Sequence, residues 1–142
     1  MLIQEIKKIL ENARRRKEEL DDNYLRLLEL KCKAESITPT CSLVPIAGNN
    51  CDKMANYVAR VDEISATIIK NIEVLSIAWQ EAESLIILLE NTHHRIAMRK
   101  HYMDNKTWKI VALEMNYSQE WVYNTRNKVL KEIFQKKYSE IQ

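Results

Sequence analysis

Two long stretches of this chain carry apolar residues at every third or fourth position, with polar residues between them. Such spacing places the apolar members on one side of a helix, so each stretch predicts a long helix with one narrow apolar seam. The first stretch occupies about residues 2–35, and its seam consists of Ile3, Ile6, Leu10, Ala13, Lys17, Leu20, Tyr24, Leu27, Lys31 and Ala34, with Lys17 and Lys31 as its only charged members. The second occupies residues 53–90, and its seam consists of Met54, Tyr57, Val61, Ile64, Ile68, Asn71, Leu75, Ala78, Ala82, Leu85 and Leu89. At about 1.5 Å per residue each helix is roughly 50 Å long, which predicts a coiled-coil-like arm.

The linker at residues 36–53 contains Pro39, Pro45, Gly48 and the Asn49-Asn50 pair, which predict the end of one helix and the start of the next. We expect the two helices to form an antiparallel hairpin. In the alternative arrangement, each seam packs against the same seam of a second subunit. Asn71 suits that alternative, because a buried polar residue can fix the register and the oligomeric state. The sequence therefore leaves both a hairpin and a homodimer through the arm open.

Three shorter helices are predicted after the second seam, where the spacing breaks at ENTHHR. Asn91 or Thr92 can cap the first of these helices, and Thr107 can cap the second. The sequence thus predicts an all-α fold in which the arm, residues 1–90, is followed by a three-helix domain, residues 91–142.

The segment KTWKIVALEMNYSQEWVYNTRNKVLK, from Lys106 to Lys131, has the pattern of a helix-turn-helix. Asn116 falls at the turn, where it tolerates a left-handed backbone better than most non-glycine residues. Ser118 can cap the second helix by accepting a hydrogen bond from a backbone N–H near Trp121. The residues predicted to form the motif core are Trp108, Val111, Ala112, Met115, Tyr117, Val122, Val129 and Leu130. This pattern favours DNA binding, although helical hairpins also serve as packing units without nucleic acid.

Charge is distributed unevenly, although the 142-residue chain has a formal net charge of only +2. Residues 1–52 carry nine basic and nine acidic groups, residues 53–90 carry three and six, and residues 91–142 carry ten and five. The excess of positive charge therefore lies with the helix-turn-helix pattern, as attraction to phosphate requires. Basic residues that favour helix C-termini because of the helix dipole are the alternative explanation.

Several classes of protein are disfavoured by the sequence. No run of about eighteen apolar residues predicts a membrane span, and the charged N-terminus differs from a signal peptide, so we expect a cytoplasmic protein. The three cysteines lack paired spacing, and His94 and His101 are two helical turns apart, so we expect neither a metal site nor a cofactor. There is no glycine-rich phosphate loop and no nucleophile elbow. We therefore do not expect an enzyme.

Five short elements stand out in the C-terminal half: Arg95 with Tyr102, Lys106 to Trp108, Val111 with Ala112, Asn116 to Ser118, and Trp121 to Tyr123. In these elements the chain resembles a family of short phage-encoded proteins whose C-terminal half is similar to region four of bacterial sigma factors. Phage late-gene activators of the RinA and ArpU kind share this similarity of the C-terminal half. The chain departs from the family pattern at His101, Asn116 and Thr125, where Arg, Gly and an aliphatic residue are usual. The resemblance extends more weakly over the arm. It implies promoter or operator binding on double-stranded DNA in a bacterial host cell, with host RNA polymerase as a candidate partner.

Carried over residue by residue, the resemblance implies that the start of the second motif helix enters the major groove. Asn and Gln can pair with adenine, Glu can accept from cytosine, and Tyr can reach a phosphate or a thymine methyl group. The predicted base-reading residues are Gln119, Glu120, Tyr123, Asn124 and Asn127. The predicted phosphate-contacting residues are Lys106, Thr107, Lys109, Ser118, Arg126 and Lys128. The alternative is a solvated polar face, such as any surface helix has.

From the sequence we expect a non-enzymatic, sequence-specific regulator of phage or prophage late-gene transcription. A second hypothesis is a phage DNA-packaging factor resembling a small terminase subunit, a class that also joins a helix-turn-helix to a helical oligomerisation region. A third is a helical adaptor that binds a protein and no DNA. One motif makes few contacts, so specific DNA binding would need a dimer on two half-sites or a partner such as polymerase.

Overall fold

The computed structural model describes the backbone of residues 2–43 and 49–141 and the side chains of residues 2–35 and 52–140. These described ranges form five helices and contain no strand, so the predicted all-α fold is confirmed. The helices are α1 (Ile3–Leu43), α2 (Asn49–Ile86), α3 (Thr92–Tyr102), α4 (Trp108–Met115) and α5 (Gln119–Ile141). They divide into two compact units. The motif unit comprises Met1–Glu18 with Val74–Gln142, and the arm unit comprises Glu19–Glu73.

The end of α1 and the start of α2 differ from the boundaries that the sequence pattern predicted. α1 continues through Pro39, and α2 already begins at Asn49, so much of the predicted linker 36–53 is helical. The predictions that Pro39 ends the first helix and that Asn49 and Asn50 lie outside a helix are wrong. A proline inside a helix removes one backbone hydrogen bond and is accommodated by a local bend in long helices. Pro45 and Gly48, the other predicted helix-ending residues, lie outside the described residues.

Side chains from other helices bind the backbone directly after α2, which ends at Ile86 although Leu89 is in phase with its seam. Arg95 donates a hydrogen bond to the backbone carbonyl of Leu89 (2.6 Å), and Lys136 donates to that of Leu88. The last carbonyls of a helix have no partner within it, and here cationic side chains of α3 and α5 satisfy acceptors just beyond the helix end. Periodicity alone predicts a longer helix, because Leu89 is buried without being helical.

The core of the motif unit draws on α1, α2, α3 and α5. Ala13, Ala78 and Ala82 have small side chains, which allows α1 and α2 to approach each other closely at this point. The buried core residues are Ile6, Leu10, Ala13, Ala78, Ala82, Leu85, Ile86, Leu89, Met98, Tyr102, Val129, Leu130 and Ile133. The first turns of α1 therefore complete the core of the C-terminal helices. For this reason the compact units divide at residues 18 and 74, whereas the sequence pattern predicted one boundary at residue 90.

In the arm unit, α1 and α2 run side by side in opposite directions. Leu30 and Ala34 of α1 line one groove together with Tyr57 and Arg60 of α2. Residues late in α1 thus lie beside residues early in α2, which is the antiparallel hairpin that the sequence predicted. Each seam therefore has a partner within the same chain.

The arm unit has little core of its own. Leu20 and Ile68 are its buried apolar side chains among the described residues. Asn71 interrupts the second seam, and its buried side-chain nitrogen has no hydrogen-bond partner in the described part of the chain. Two packed helices bury one seam each and leave their other faces in solvent. The unit is therefore held together by a single row of contacts.

Candidate nucleic-acid interface

Two capped helices and one left-handed residue form the turn between α4 and α5. Thr107 caps α4, and its hydroxyl accepts a hydrogen bond from the backbone N–H of Ile110 (3.3 Å). Asn116 has φ 59° and ψ 35°, a left-handed conformation that few non-glycine residues adopt. Ser118 caps α5 by accepting from the N–H of Trp121 (3.0 Å). All three roles agree with the sequence prediction, and together they fix where α4 ends and α5 begins.

The interior of the helix-turn-helix is formed by aliphatic residues. The predicted core residues that are buried are Val111, Ala112, Val122, Val129 and Leu130. Trp108, Met115 and Tyr117 were predicted to belong to this core but are only half-buried. The Trp108 ring stacks on His101, and the Tyr117 ring stacks on Trp121, so both aromatic rings lie at the edge of this interior. Thr125 is also buried, although it is polar.

Trp121 is a packing residue of the motif. Its ring stacks on that of Tyr117, with ring centroids 3.8 Å apart and planes at 11°. The Tyr117 hydroxyl also forms a hydrogen bond with Nδ1 of His93, and the His94 ring lies 5.9 Å from Trp121. These contacts show that the Trp121 ring packs within the motif unit.

The first turns of α5 present a polar surface. The predicted base-reading residues, all of them exposed, are Gln119, Glu120, Tyr123, Asn124 and Asn127. Within the described part of the chain, none of these side chains forms a hydrogen bond or an ion pair with another group of the protein. They face away from Val122 and Val129, which are buried. Their amide, carboxylate and phenol groups are therefore available to the edges of bases.

A shallow cleft of about 350 Å³ lies between the start of α4 and the start of α5. It is lined by Trp108, Lys109, Gln119, Glu120, Tyr123 and Arg126. Lys109 and Arg126 thus lie beside three of the predicted base-reading residues. In a DNA groove the phosphates border the base edges in the same way. The structure therefore groups predicted phosphate-contacting and base-reading residues on one concave surface.

Lys106, a predicted phosphate contact, forms an ion pair within the protein. Its Nζ lies 2.8 Å and 2.9 Å from the two carboxylate oxygens of Glu114, and Nζ of Lys100 lies 2.7 Å from the same carboxylate. The hydrogen bonds from Lys100 and Lys106 lower the pKa of Glu114, and the hydrogen bond with Glu114 raises the pKa of Lys106. Glu114 therefore holds Lys106 in place and offsets one of the two positive charges.

The other predicted phosphate-contacting residues differ in whether their polar groups already take part in a hydrogen bond within the protein. Lys109 and Lys128 are exposed. Thr107 and Ser118 are exposed too, but their hydroxyl oxygens already accept hydrogen bonds from the backbone. Each hydroxyl can still donate its proton to a phosphate oxygen.

A cluster that the sequence analysis missed joins α1 to the turn before α4. Arg14 donates hydrogen bonds to the backbone carbonyls of His101 (2.8 Å) and Lys106 (3.2 Å). The side-chain amide of Asn105 donates to the Arg14 carbonyl (3.0 Å). Asn105 has φ 57°, a second left-handed residue at which the chain can change direction. Arg14 and His101 are 87 positions apart, so no local pattern could have indicated the contact.

His101 lies within this cluster in its neutral form. Its ring stacks on Trp108 with centroids 3.8 Å apart, and its Nδ1 lies 2.8 Å from the Lys106 carbonyl. Nδ1 also lies 3.0 Å from Nη1 of Arg14, which can only donate, so the two contacts of this nitrogen require different tautomers. Burial lowers the pKa of His101 from 6.5 to about 4; the Lys106 hydrogen bond opposes this, and the charges of Arg14 and Arg126 add to it. The imidazole is therefore uncharged at neutral pH.

No protein-family model, curated protein sequence or solved structure matches this chain. The resemblance to phage regulators therefore stays a prediction, carried by the motif residues. Over the described ranges, no three His, Cys, Asp or Glu side chains are grouped so that they could hold a metal ion. Nor does any helix in those ranges combine the length and apolar character needed to span a bilayer.

Proposed function

We propose that this protein is a sequence-specific DNA-binding regulator of phage or prophage late-gene transcription. The observation that carries the proposal is the outer surface of α5. Directly after the Asn116 turn and the Ser118 cap, this helix exposes five polar side chains that have no partner within the described part of the protein. Amide and carboxylate groups on the first turns of a second motif helix are suited to the donor and acceptor pattern of the major groove.

The packing of the motif unit supports a binding role for this surface. α5 contributes Val129, Leu130 and Ile133 to the core from its opposite side. The fold therefore does not depend on the polar face. A helix-turn-helix that served packing alone would have no need for two basic side chains, Lys109 and Arg126, in a cleft beside that face. Phosphate contacts from such side chains position a protein on DNA.

A single motif offers few base contacts, so we propose that a second motif or host RNA polymerase completes the specificity. Either arrangement adds contacts that one α5 surface lacks. The test of DNA binding below uses the full chain, so that both the motif and the arm are present.

The amide side chains on α5 provide a test of base reading. Duplexes selected from a random DNA pool would be titrated with the full chain and followed by fluorescence anisotropy. Gln119→Ala and Asn124→Ala are each expected to weaken binding to the selected site about tenfold, because each removes a base contact of roughly 1–3 kcal/mol. Binding to a scrambled duplex, which depends on phosphates, is expected to stay unchanged.

Gln135→Ala is the matched control, since it removes the same exposed amide from the same helix away from the motif. It is expected to bind both duplexes like the unmodified protein. If Gln119→Ala and Asn124→Ala also do so, the proposed base reading is wrong. If the unmodified protein has no affinity that falls as salt is raised, the protein is not a DNA-binding regulator and the adaptor hypothesis is favoured.

Removing the charge of Glu114 is expected to strengthen binding to any duplex. Glu114→Gln frees Lys100 and Lys106 from the ion pair and raises the local charge by one. We expect affinity to rise several-fold at low salt, and the slope of log affinity against log salt to steepen by about one phosphate contact. Glu140→Gln, which removes a carboxylate near the end of α5, is the control and should leave the slope unchanged. An unchanged slope in Glu114→Gln would mean that Lys106 does not contact phosphate.

A further inference from the structure

The arm unit exposes large apolar side chains outside its seams. Leu25 and Leu28 of α1 are 55% and 57% exposed, and Ile69 of α2 is 60% exposed. Val58 and Ile72 of α2 are also exposed, at 50% and 45%. Single exposed apolar residues are ordinary on protein surfaces, but a contiguous group marks an interaction site. Whether these five residues are ordinary surface residues or an interaction site therefore depends on whether they are adjacent.

All five residues lie on one side of the hairpin. Each occupies the position directly after a seam residue, as Leu25 does after Tyr24 and Ile69 after Ile68. One position along a helix is a turn of about 100°, and in an antiparallel pair this rotation brings both helices to the same side. We call this side, formed by Leu25, Leu28, Val58, Ile69 and Ile72, the apolar arm face.

The opposite side of the hairpin is polar. It is formed by the positions directly before the seam residues, and Leu30 is its one large apolar member in the described arm unit. Its polar members include Asn23, Arg26, Asn56, Arg60, Thr67 and Lys70. The hairpin as a whole is therefore amphipathic, in addition to the amphipathic character of each helix.

The apolar arm face is large enough for a specific interface. Positions 55–72 of α2 span about 25 Å, and two adjacent helices are about 20 Å wide. Pairing two such faces buries on the order of 1,000 Å², the size at which specific protein interfaces begin. Such a layer would add apolar burial to the arm unit, whose buried apolar side chains among the described residues are Leu20 and Ile68.

We propose that the apolar arm face binds the same face of a second copy of this chain, so that two hairpins form a four-helix bundle. An apolar face that pairs with itself forms a closed dimer with a two-fold axis, and hairpins that each have one apolar side form such bundles. This contact differs from a dimer through the seams, because it uses the side chains that directly follow the seam residues and leaves the pairing of α1 with α2 within one chain unchanged. Two copies would also bring two helix-turn-helix motifs to one DNA, a consequence that rests on the proposed function.

Sedimentation velocity of the full chain over the micromolar range tests the dimer. The unmodified protein is expected to sediment as a dimer. Leu28→Glu and Ile69→Glu are each expected to raise the dimer dissociation constant at least tenfold, because each places two carboxylates at the centre of a symmetric apolar contact. Both side chains are exposed in the single chain, so circular dichroism should show unchanged helix content.

Thr67→Glu is the matched control, since it places the same carboxylate on the opposite side of α2. It is expected to dimerise like the unmodified protein. The proposal is overturned by a protein that stays monomeric over this range, by a closed ring of more than two copies, or by equal weakening in Thr67→Glu and Ile69→Glu.

The effect of salt concentration distinguishes the proposed dimer from the proposed DNA binding. In the described arm, Asp21, Glu35 and Asp62 also directly follow seam residues and so flank the apolar arm face. Their carboxylates would repel those of a second copy, and salt screens this repulsion. Dimerisation is therefore expected to persist or strengthen as salt is raised, whereas DNA affinity falls. If the protein dimerises but has no affinity for DNA, the proposed function is wrong and the proposed dimer stands. If it is a monomer that binds the selected duplex, the proposed dimer is wrong and the proposed function stands.

Discussion

Leu10→Ala is expected to lower the free energy of unfolding of the motif unit by about 3 kcal/mol. Leu10 is fully buried in the same core as Leu85, Met98 and Ile133, although it lies near the start of the chain. Shortening its side chain removes apolar contacts and leaves a cavity that packed helices do not fill. The α3–α5 helices should therefore lose stability through a change in α1.

Denaturant unfolding followed by tryptophan fluorescence measures this effect. All three tryptophans of the chain, Trp79, Trp108 and Trp121, belong to the motif unit, so the signal reports on this unit. Leu113→Ala is the matched control, since it shortens a leucine of α4 that is 70% exposed. It should change stability by no more than about 0.5 kcal/mol. Equal stability of the two variants would show that α1 is not part of this core.

Lowering the pH from about 7.5 to about 5 is expected to destabilise the motif unit through His101, by at most about 2 kcal/mol, because solvent screens part of the effect on this half-buried ring. The pKa of this residue is about 4 in the folded protein, against 6.5 when it is free. Below pH 6.5 the unfolded chain binds a proton that the folded protein does not, so acid favours unfolding. The contribution is fully present above pH 6.5 and is lost as the pH falls towards 4.

His101→Gln separates this effect from other titrating groups. The variant has no imidazole at this position, so its unfolding free energy should change less between pH 7.5 and pH 5 than that of the unmodified protein. Burial also lowers the pKa of His94, so His94→Gln is a second variant to compare. If His101→Gln has the same pH dependence as the unmodified protein, the imidazole is not kept neutral by burial.

The parts of the motif that the sequence predicted correctly are local. Thr107 and Ser118 each bind a backbone N–H three residues ahead, and Asn116 acts through its own φ and ψ. Such interactions depend on a few neighbouring residues, so composition and order reveal them. The exposure of Gln119 and Asn124 follows from helical periodicity for the same reason.

The features that the sequence did not reveal depend on distant partners. The cluster of Arg14, His101 and Asn105 joins segments that are 87 or more positions apart. Glu114 forms an ion pair with Lys106, eight positions earlier, although the sequence predicted that this lysine contacts phosphate. The half-burial of Trp108 likewise reflects its stacking on His101. Periodicity shows which face of a helix is apolar, but it does not show which partner covers that face.

The discontinuous motif unit has a consequence for the order in which the protein folds. Ile6 and Ile133 belong to one core and are 127 positions apart in the chain. During synthesis the ribosome releases Ile6 long before its partners on α5, at about 5–20 residues per second. The helices of the arm unit can meet earlier, because their residues are contiguous. The first turns of α1 therefore remain partly exposed until α5 has been synthesised, and the helix-turn-helix acquires its full core only after that point.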